Sequence, residues 1–324
     1  MSQPPFDPPP TGLVGRTEAA PRGGTTTCDS AGARWKAYGA WIAASLVIFG
    51  YAWIPLLKSA LGDELHSYAP LIPVVVGWLI WQAQRHPRTA ATANIGAKNP
   101  GPAVLLGIVA AVTALAAAWA SSKGWITGAS SSLTGPTLAW VLAVWAGAFW
   151  ILGSRLVWSH AFPFLFLIFT VPLPDPVVNQ VEKGLQYGSA GLVEIVFRLC
   201  RLTYLRDDRM FWLDGLRFEV AQECSGIRST LVLFITSLLA GYLLLRSPRR
   251  RLIFALAVIP LGLLRNTLRI CVITLLSVYV DPRIIHSPLH HRGGPLFFAI
   301  SLVPLFALLW WFQRKERGED RGAP

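Results

Sequence analysis

The stretch AQECSGIRST (residues 221–230) runs directly into LVLFITSLLAGYLLL (residues 231–245), and this junction decides the fold. The second segment carries no charge and, with the residues just before it, approaches the roughly 20 helical residues that cross a bilayer. The first segment places a glutamate, a cysteine and an arginine within six positions. A cysteine that only fills space in a core has no need of charged neighbours. The junction therefore predicts a membrane helix that begins at a polar loop holding a thiol.

The composition of the whole chain is that of a membrane protein. Of 324 residues, 53% are hydrophobic and 14% are charged, and the mean hydropathy is +0.47. A soluble domain carries about 25% charged residues. Long apolar runs recur at 38–57, 69–83, 101–120, 137–153, 156–172, 229–245, 252–280 and 294–312. They predict an all-α polytopic membrane protein with about eight transmembrane helices.

Basic residues alternate between rich and poor connections, and this alternation sets the topology. The densest basic segments are RSPRRR (246–251), after the sixth run, and RKER (314–317), after the last run. Because basic segments stay in the cytoplasm, both termini are predicted to be cytoplasmic in the inner (plasma) membrane. This sorting explains the net charge of +12 without nucleic acid as a partner, and membrane lipids are the expected surroundings.

The pattern divides the chain into a membrane domain and two tails. Residues 1–36 are rich in Pro, Gly and Thr and are predicted to be a disordered cytoplasmic tail. Residues 37–312 form the integral membrane domain, and residues 313–324 form a basic cytoplasmic tail. Within the membrane domain, residues 173–228 are predicted to be a long extracytoplasmic insertion that leads to the cysteine.

The insertion is predicted to contain a helix and a β-hairpin. It opens at the proline-rich break PLPDP (172–176), after which apolar residues recur at helical spacing. The segment MFWLDGLRFEVA (210–221) follows, with Asp214-Gly215 between alternating apolar flanks. An Asp-Gly pair in that setting is the strongest short signal for a hairpin turn.

Cys224 is predicted to lie on the outer side, just before the sixth helix. Ser225 and Gly226 can cap that helix, and the free amides and dipole at a helix start stabilise a thiolate. Arg228 adds positive charge beside the thiol. The alternative is an inert cysteine that packs as a small apolar residue. Because the flanking residues are polar, the two interpretations of Cys224, a nucleophile and a packing residue, are equally favoured.

The seventh run contains LLRNTLRICV (263–272), which puts three polar side chains on one helix face. Arg269 lies roughly 26 Å along a helix that starts at residue 252, near the outer edge of the bilayer core. Asn266 and Arg265 precede it by three and four positions, so all three share a face. Arginine at membrane depth is costly and usually marks function. Snorkelling to head groups is an alternative for Arg269, but Arg265 is deeper and needs a partner inside the bundle.

The segment HSPLHHRGG (286–294) supplies imidazoles on the same outer side, before the eighth helix. Histidine titrates near neutral pH and can move protons, although solvated loop histidines are the ordinary alternative. No carboxylate or cysteine stands at metal-ligand spacing to them. The remaining cysteines share no CxxC spacing: Cys28, Cys200 and Cys271. No metal, disulfide or cofactor is therefore expected.

A thiol, a guanidinium and an imidazole at one depth are the set that acyl transfer needs. They supply a nucleophile, a donor for the oxyanion and an acid/base for the leaving amine. Two other classes stay open. A transporter or channel would also use membrane arginines, but the first five runs carry few polar residues apart from His160. A lipid-linked glycosyl or acyl transferase would use an outer carboxylate or histidine, and residues 63–66 hold one such cluster.

These motifs resemble those of the exosortase/archaeosortase family of membrane transpeptidases. ECSGIRS (223–229) resembles its cysteine motif, NTLRI (266–270) its asparagine–arginine motif, and HHRGGPLFF (290–298) its histidine motif. The resemblance covers residues 170–300, and the order of the three motifs agrees with it. In the third motif a histidine lies four residues before a glycine, so the spacing to Gly294 favours His290 over His291.

The resemblance implies a role for each matched residue. Cys224 would be the nucleophile, Arg269 a donor to the oxyanion or substrate, and His290 the general acid/base. The supporting residues would be Ser225, Gly226, Arg228, Arg265, Asn266, His291 and Gly294. The site would face the extracytoplasmic side.

The resemblance also implies a substrate class. Substrates would be exported proteins with a C-terminal tripartite signal: a short motif often containing Pro-Glu-Pro, a transmembrane helix and a basic cluster. Cysteine attack would give a thioester, and an amine, lipid or glycan acceptor would then take the protein to an envelope anchor.

Overall fold

The computed structural model describes residues 26–62, 65–85, 100–126, 128–213, 216–220, 226–281 and 294–322. Helices dominate these residues, and one small sheet interrupts them, as the sequence predicts. A bilayer offers no water to exposed backbone groups, and a helix satisfies them within its own segment. The long apolar runs therefore fold as helices.

In the described residues of the first half of the chain there are five longer helices, followed by short helical elements. The helices are α1 (Thr26–Ile48), α2 (Gly50–Gly62), α3 (Leu71–Arg85), α4 (Gly101–Ser122) and α5 (Ala129–Gly147). The short elements are a π-helical turn (Ala148–Leu152), α6 (Ser154–Ser159), α7 (Ala161–Phe166) and a 3₁₀ turn (Leu167–Thr170).

The second half carries the remaining helices and the sheet. The helices are α8 (Asp175–Leu199), α9 (Ile227–Leu244), α10 (Pro248–Leu256), α11 (Val258–Tyr279) and α12 (Gly294–Gly322). The strands are β1 (Tyr204–Asp207), β2 (Met210–Leu213) and β3 (Leu216–Glu219).

The first helix begins earlier than the sequence pattern predicts. A disordered tail was expected up to residue 36, but α1 already starts at Thr26. Aromatic packing gives the physical reason, because Trp35 contacts the ring of Tyr38 with centroids 6.1 Å apart. The Tyr38 hydroxyl also donates to the Val144 carbonyl on α5 at 3.3 Å. Residues 1–25 lie outside the described part of the chain.

The predicted count of about eight membrane spans is not confirmed among the described residues. Within the described ranges, five helical segments are long and apolar enough to cross a membrane: Gly101–Ser122, Ser130–Leu152, Ile227–Leu244, Pro248–Tyr279 and Leu296–Glu319. Two bent helix pairs raise the number to 7, with bends of 76° after Ile48 and 93° after Thr170. The predicted second span corresponds to α3, which has only 15 residues. The predicted fifth span is broken at His160 and again before α8.

The predicted insertion of a helix and a hairpin is confirmed, with one more strand than expected. The sheet is antiparallel with the order β1-β2-β3. Leu213 pairs with Leu216, which leaves two residues between β2 and β3. These are the predicted turn residues Asp214 and Gly215, and they lie outside the described residues. β1 and β2 are joined through Asp208, which adopts a left-handed φ of 55°.

The insertion is fixed to the bundle at both ends of α8. At its start, the Asp175 carboxylate accepts hydrogen bonds from the backbone N–H (2.9 Å) and hydroxyl (2.7 Å) of Ser131. This carboxylate therefore caps the start of α5, where the N-cap residue is a glycine without a side chain. Towards its end, Phe197 is fully buried against Phe211 of β2 and the α11 side chains around Ile270.

The two densest basic segments meet at one end of the bundle. Glu316 on α12 accepts hydrogen bonds from the backbone N–H groups of Arg246 (3.0 Å) and Ser247 (3.0 Å). Arg250 forms ion pairs with Glu316 at 3.5 Å and with Glu319. Because of these contacts, the sequence predicted as a basic tail from residue 313 continues α12 as far as Gly322.

Candidate active site

The site lies where α9 begins, at the end of the bundle opposite the basic segments. Gly226 is the N-cap of α9 and adopts a left-handed backbone with φ 67° and ψ 14°. This conformation suits glycine because it has no Cβ to clash with the following carbonyl. The residues before it, 221–225, lie outside the described residues, so this is the nearest described position to Cys224 and Ser225.

The Gly226 carbonyl joins the cysteine motif to the arginine motif. Nη2 of Arg265 donates to it at 3.4 Å, across 39 positions of sequence. The same oxygen accepts from the Thr230 N–H (3.0 Å) and the Ser229 hydroxyl (3.1 Å) of the first turn of α9. A carbonyl two residues after Cys224 is therefore held by a guanidinium on a neighbouring helix.

The side chains of the predicted polar face of α11 are largely buried. Arg265 is 8% exposed and Asn266 is 3% exposed, while Arg269 is half-buried with its Nε atom fully covered. Arg269 lies one turn, roughly 6 Å, further along the helix than Arg265. Since Arg265 reaches Gly226, the arginines stand at the depth of the cysteine motif.

The structure also places polar side chains of α8 beside the site, which the sequence analysis did not predict. The Asn266 side-chain amide donates to the Ser189 hydroxyl of α8 at 2.9 Å, and Ser189 is fully buried. Gln186, one turn earlier, accepts from Arg209 in the turn between β1 and β2. Glu182, Gln186 and Ser189 recur at spacings of four and three, so they form a polar stripe on the buried face of an amphipathic helix. The spacing of these three polar residues is the sequence signal that could have indicated the contribution of α8 to the site.

Val220, the last described residue before Cys224, is held by Arg209, which also contacts Gln186 of α8. The Val220 N–H donates to the Arg209 carbonyl at 3.0 Å, and Val220 is almost fully buried. The two described residues that flank 221–225 are therefore both held by hydrogen bonds, Val220 beside the sheet and Gly226 beside Arg265.

The other predicted site residues fall in three groups. Arg228 lies in the first turn of α9 with an exposed side chain. Gly294 is the first residue of α12, a helix that packs against α11. Four predicted residues lie outside the described part of the chain: Cys224, Ser225, His290 and His291. The structure thus brings together Gly226, Arg265 and Asn266, with Arg269 on the same face of α11.

Gly226→Ala is expected to damage the site through the backbone. An added Cβ would stand 2.8 Å from Nη2 of Arg265, so the guanidinium would have to move. The left-handed backbone adds a cost of about 1 kcal/mol for a residue with a Cβ. We expect lower thermal stability in detergent and at least about tenfold slower turnover, since the contact between the start of α9 and Arg265 is lost beside the cysteine motif.

Gly191→Ala is the matched control, since no atom lies within 4 Å of its added Cβ and Gly191 sits inside α8. There the exchange should leave turnover unchanged and alter stability by no more than about 1 kcal/mol. Equal behaviour of the two variants would contradict the anchoring role of Gly226.

The fold and the site define a multi-pass membrane protein with polar groups gathered at one end of its bundle. The family model described as transmembrane exosortase matches residues 37–307. The chain therefore belongs to the transmembrane exosortase family, and its general class is that of a membrane transpeptidase. A search of curated proteins and a search of solved structures found no match.

Proposed function

We propose that this protein cleaves a C-terminal sorting signal of exported proteins through a thioester on Cys224 and transfers them to an envelope acceptor. The observation that carries the proposal is the contact of Arg265 with the Gly226 carbonyl at 3.4 Å. It joins the cysteine motif to the helix face that holds Arg269. A nucleophile and an oxyanion donor at one place are the minimum for acyl transfer.

The reaction has two steps. The Cys224 thiolate attacks the carbonyl carbon of the scissile peptide bond, and Arg269 donates hydrogen bonds to the resulting oxyanion. The C–N bond breaks, the leaving nitrogen takes a proton from His290, and a thioester remains. An acceptor amine then attacks the thioester carbonyl, gives up a proton to His290, and releases the thiolate with a new amide.

The active site is proposed to face the extracytoplasmic side, with both termini in the cytoplasm. The two basic segments joined by Glu316 lie at the end of α9 and the start of α10, and Gly226 lies at the other end of α9. The 18 residues of α9 span roughly 27 Å, close to the thickness of a bilayer core. Basic segments retained in the cytoplasm therefore leave the cysteine motif outside. Exported proteins would meet it there.

The paired histidines give a test with a built-in control. His290→Ala is expected to lower processing of a co-expressed protein carrying a tripartite signal by roughly 10²-fold or more, because the leaving amine loses its proton donor. His291→Ala should process at close to the wild-type rate, since only one imidazole can align with the leaving nitrogen. Immunoblots of precursor and product over time give the rates.

Both variants must reach the membrane in wild-type amounts for the comparison to hold. Normal processing by His290→Ala would remove the assigned acid/base. Loss in His291→Ala alone would move that role to the neighbouring imidazole.

A further inference from the structure

The Arg265 side chain carries hydrogen-bond donors that the described structure does not use. It is 8% exposed, and Nη1 is buried without a hydrogen-bond partner among the described residues. Nη2 makes one long contact, at 3.4 Å, to the Gly226 carbonyl. A buried guanidinium normally has its fork of donors engaged, because each unmade hydrogen bond leaves a desolvated group.

The charge of Arg265 is also uncompensated by its described surroundings. No carboxylate of the described residues lies within 4.0 Å of the guanidinium, and the next charged side chain on its own helix face is Arg269, a second cation. Asn266 is neutral and commits its amide to Ser189. A buried charge without a counter-ion is strongly unfavourable, so a site of this kind favours an incoming anion.

We propose that Arg265 binds the side-chain carboxylate of an acidic residue in the substrate, beside the scissile bond. A guanidinium fork matches a carboxylate with two parallel hydrogen bonds, and Nη1 is available for one of them. A neutral carbonyl would satisfy the donor but leave the charge uncompensated. The location fits, since Arg265 already touches the backbone two residues from the nucleophile. This inference rests on the proposed function, and it makes Arg265 a residue that determines substrate specificity.

The segment between Val220 and Gly226 contains a competing carboxylate. Within residues 221–225, which connect Val220 to Gly226, the sequence has a single acidic residue, Glu223. An internal pair between Glu223 and Arg265 would hold the loop and leave the substrate carboxylate without a role. The two alternatives give opposite results when the substrate and the enzyme are changed together.

The experiment is a double-mutant cycle between enzyme and substrate. The full-length enzyme in detergent cleaves synthetic peptides in which Pro-Glu-Pro or Pro-Gln-Pro precedes an apolar segment and a basic end. For the wild type, the Gln peptide should show kcat/KM lower by about tenfold or more, because the exchange removes only the charge. For Arg265→Gln, both peptides should be cleaved at the same reduced rate. Arg265→Lys keeps the charge and should retain part of the preference for the Glu peptide.

Arg217→Gln is the matched control, since this exposed arginine of β3 should keep the full preference for Glu. Because the substrate exchange is made against the wild-type enzyme, a folding defect in a variant does not obscure the result. Equal cleavage of the Glu and Gln peptides by the wild type would overturn the inference. So would a Glu223→Gln variant that no longer responds to replacement of Arg265, because the partner would then be internal. If no peptide is cleaved in a manner that depends on Cys224, the proposed function itself fails.

Discussion

Replacing Cys224 by alanine is expected to stop processing of a co-expressed tripartite-signal protein, with a loss of roughly 10³-fold or more. The reason is chemical, since Cys224 is the only residue of the motif with a thiol, and the proposed intermediate is a thioester. Val220 and Gly226, which flank residues 221–225, are held by hydrogen bonds that do not involve the thiol, so a smaller side chain should leave the fold intact. The amount of protein in the membrane should therefore match the wild type.

The remaining cysteines are the controls for this result. Cys200 is exposed at the end of α8, and Cys271 is buried in the apolar cluster between α8 and α11. Alanine at either position, or at Cys28, should leave processing close to normal. Retained processing in Cys224→Ala, or its loss in Cys200→Ala, would be incompatible with Cys224 as the nucleophile.

Arg269→Lys is expected to lower kcat by roughly 10²-fold or more, even though the positive charge is retained. Lysine lacks the planar fork that donates two parallel hydrogen bonds to an oxyanion. Because these bonds strengthen as the charge on oxygen develops, the loss should appear in kcat with little change in KM. Steady-state kinetics with the Pro-Glu-Pro peptide measure both constants.

The comparison with Arg265→Lys separates the two arginines. If Arg265 binds a substrate carboxylate present before and during reaction, its replacement should chiefly raise KM. Arg217→Lys, on the exposed face of β3, should change neither constant. A nearly normal kcat for Arg269→Lys would demote this residue to general electrostatic support.

The parts of the fold that follow from local patterns could be predicted from the sequence. The i, i+3, i+4 spacing of Arg265, Asn266 and Arg269 predicts one polar face on α11, and the burial of these side chains agrees with it. Asp214-Gly215 predicts the hairpin of β2 and β3, and the observed register leaves those two residues between the strands. Both signals involve residues close in sequence, whose relative positions are fixed by the geometry of the local backbone.

Features that depend on tertiary packing could not be predicted in this way. Hydropathy is the same for a straight and a broken helix, so the break at His160 gives no signal in the fifth apolar run. The turn between β1 and β2 contains Asp208 with a left-handed φ of 55° and no glycine, so β1 has no turn signal of the kind that Asp214-Gly215 gives. In α1, Trp35 contacts the ring of His160 and the Tyr38 hydroxyl donates to the Val144 carbonyl, and both partners lie more than 100 positions later in the chain.

The candidate site likewise has features that the sequence predicts and features that only the tertiary structure shows. Its residue types and order could be recognised from three motifs, but the partner of Asn266 could not. Ser189 lies 77 positions earlier, on a helix that first had to be packed against α11. The link between Gly226 and Arg265 likewise follows only from the approach of α9 to α11. Long-range polar contacts of this kind have no local sequence signature.

The most direct test of the account is to isolate the covalent intermediate. Wild-type enzyme is mixed with the Pro-Glu-Pro peptide, quenched in acid within the first turnover, digested and analysed by mass spectrometry. The thioester mechanism predicts that the N-terminal part of the peptide is attached to Cys224 through a bond that neutral hydroxylamine cleaves, and that Cys224→Ala carries no adduct. Rapid cleavage without any adduct on Cys224, or an adduct on another side chain, would contradict it.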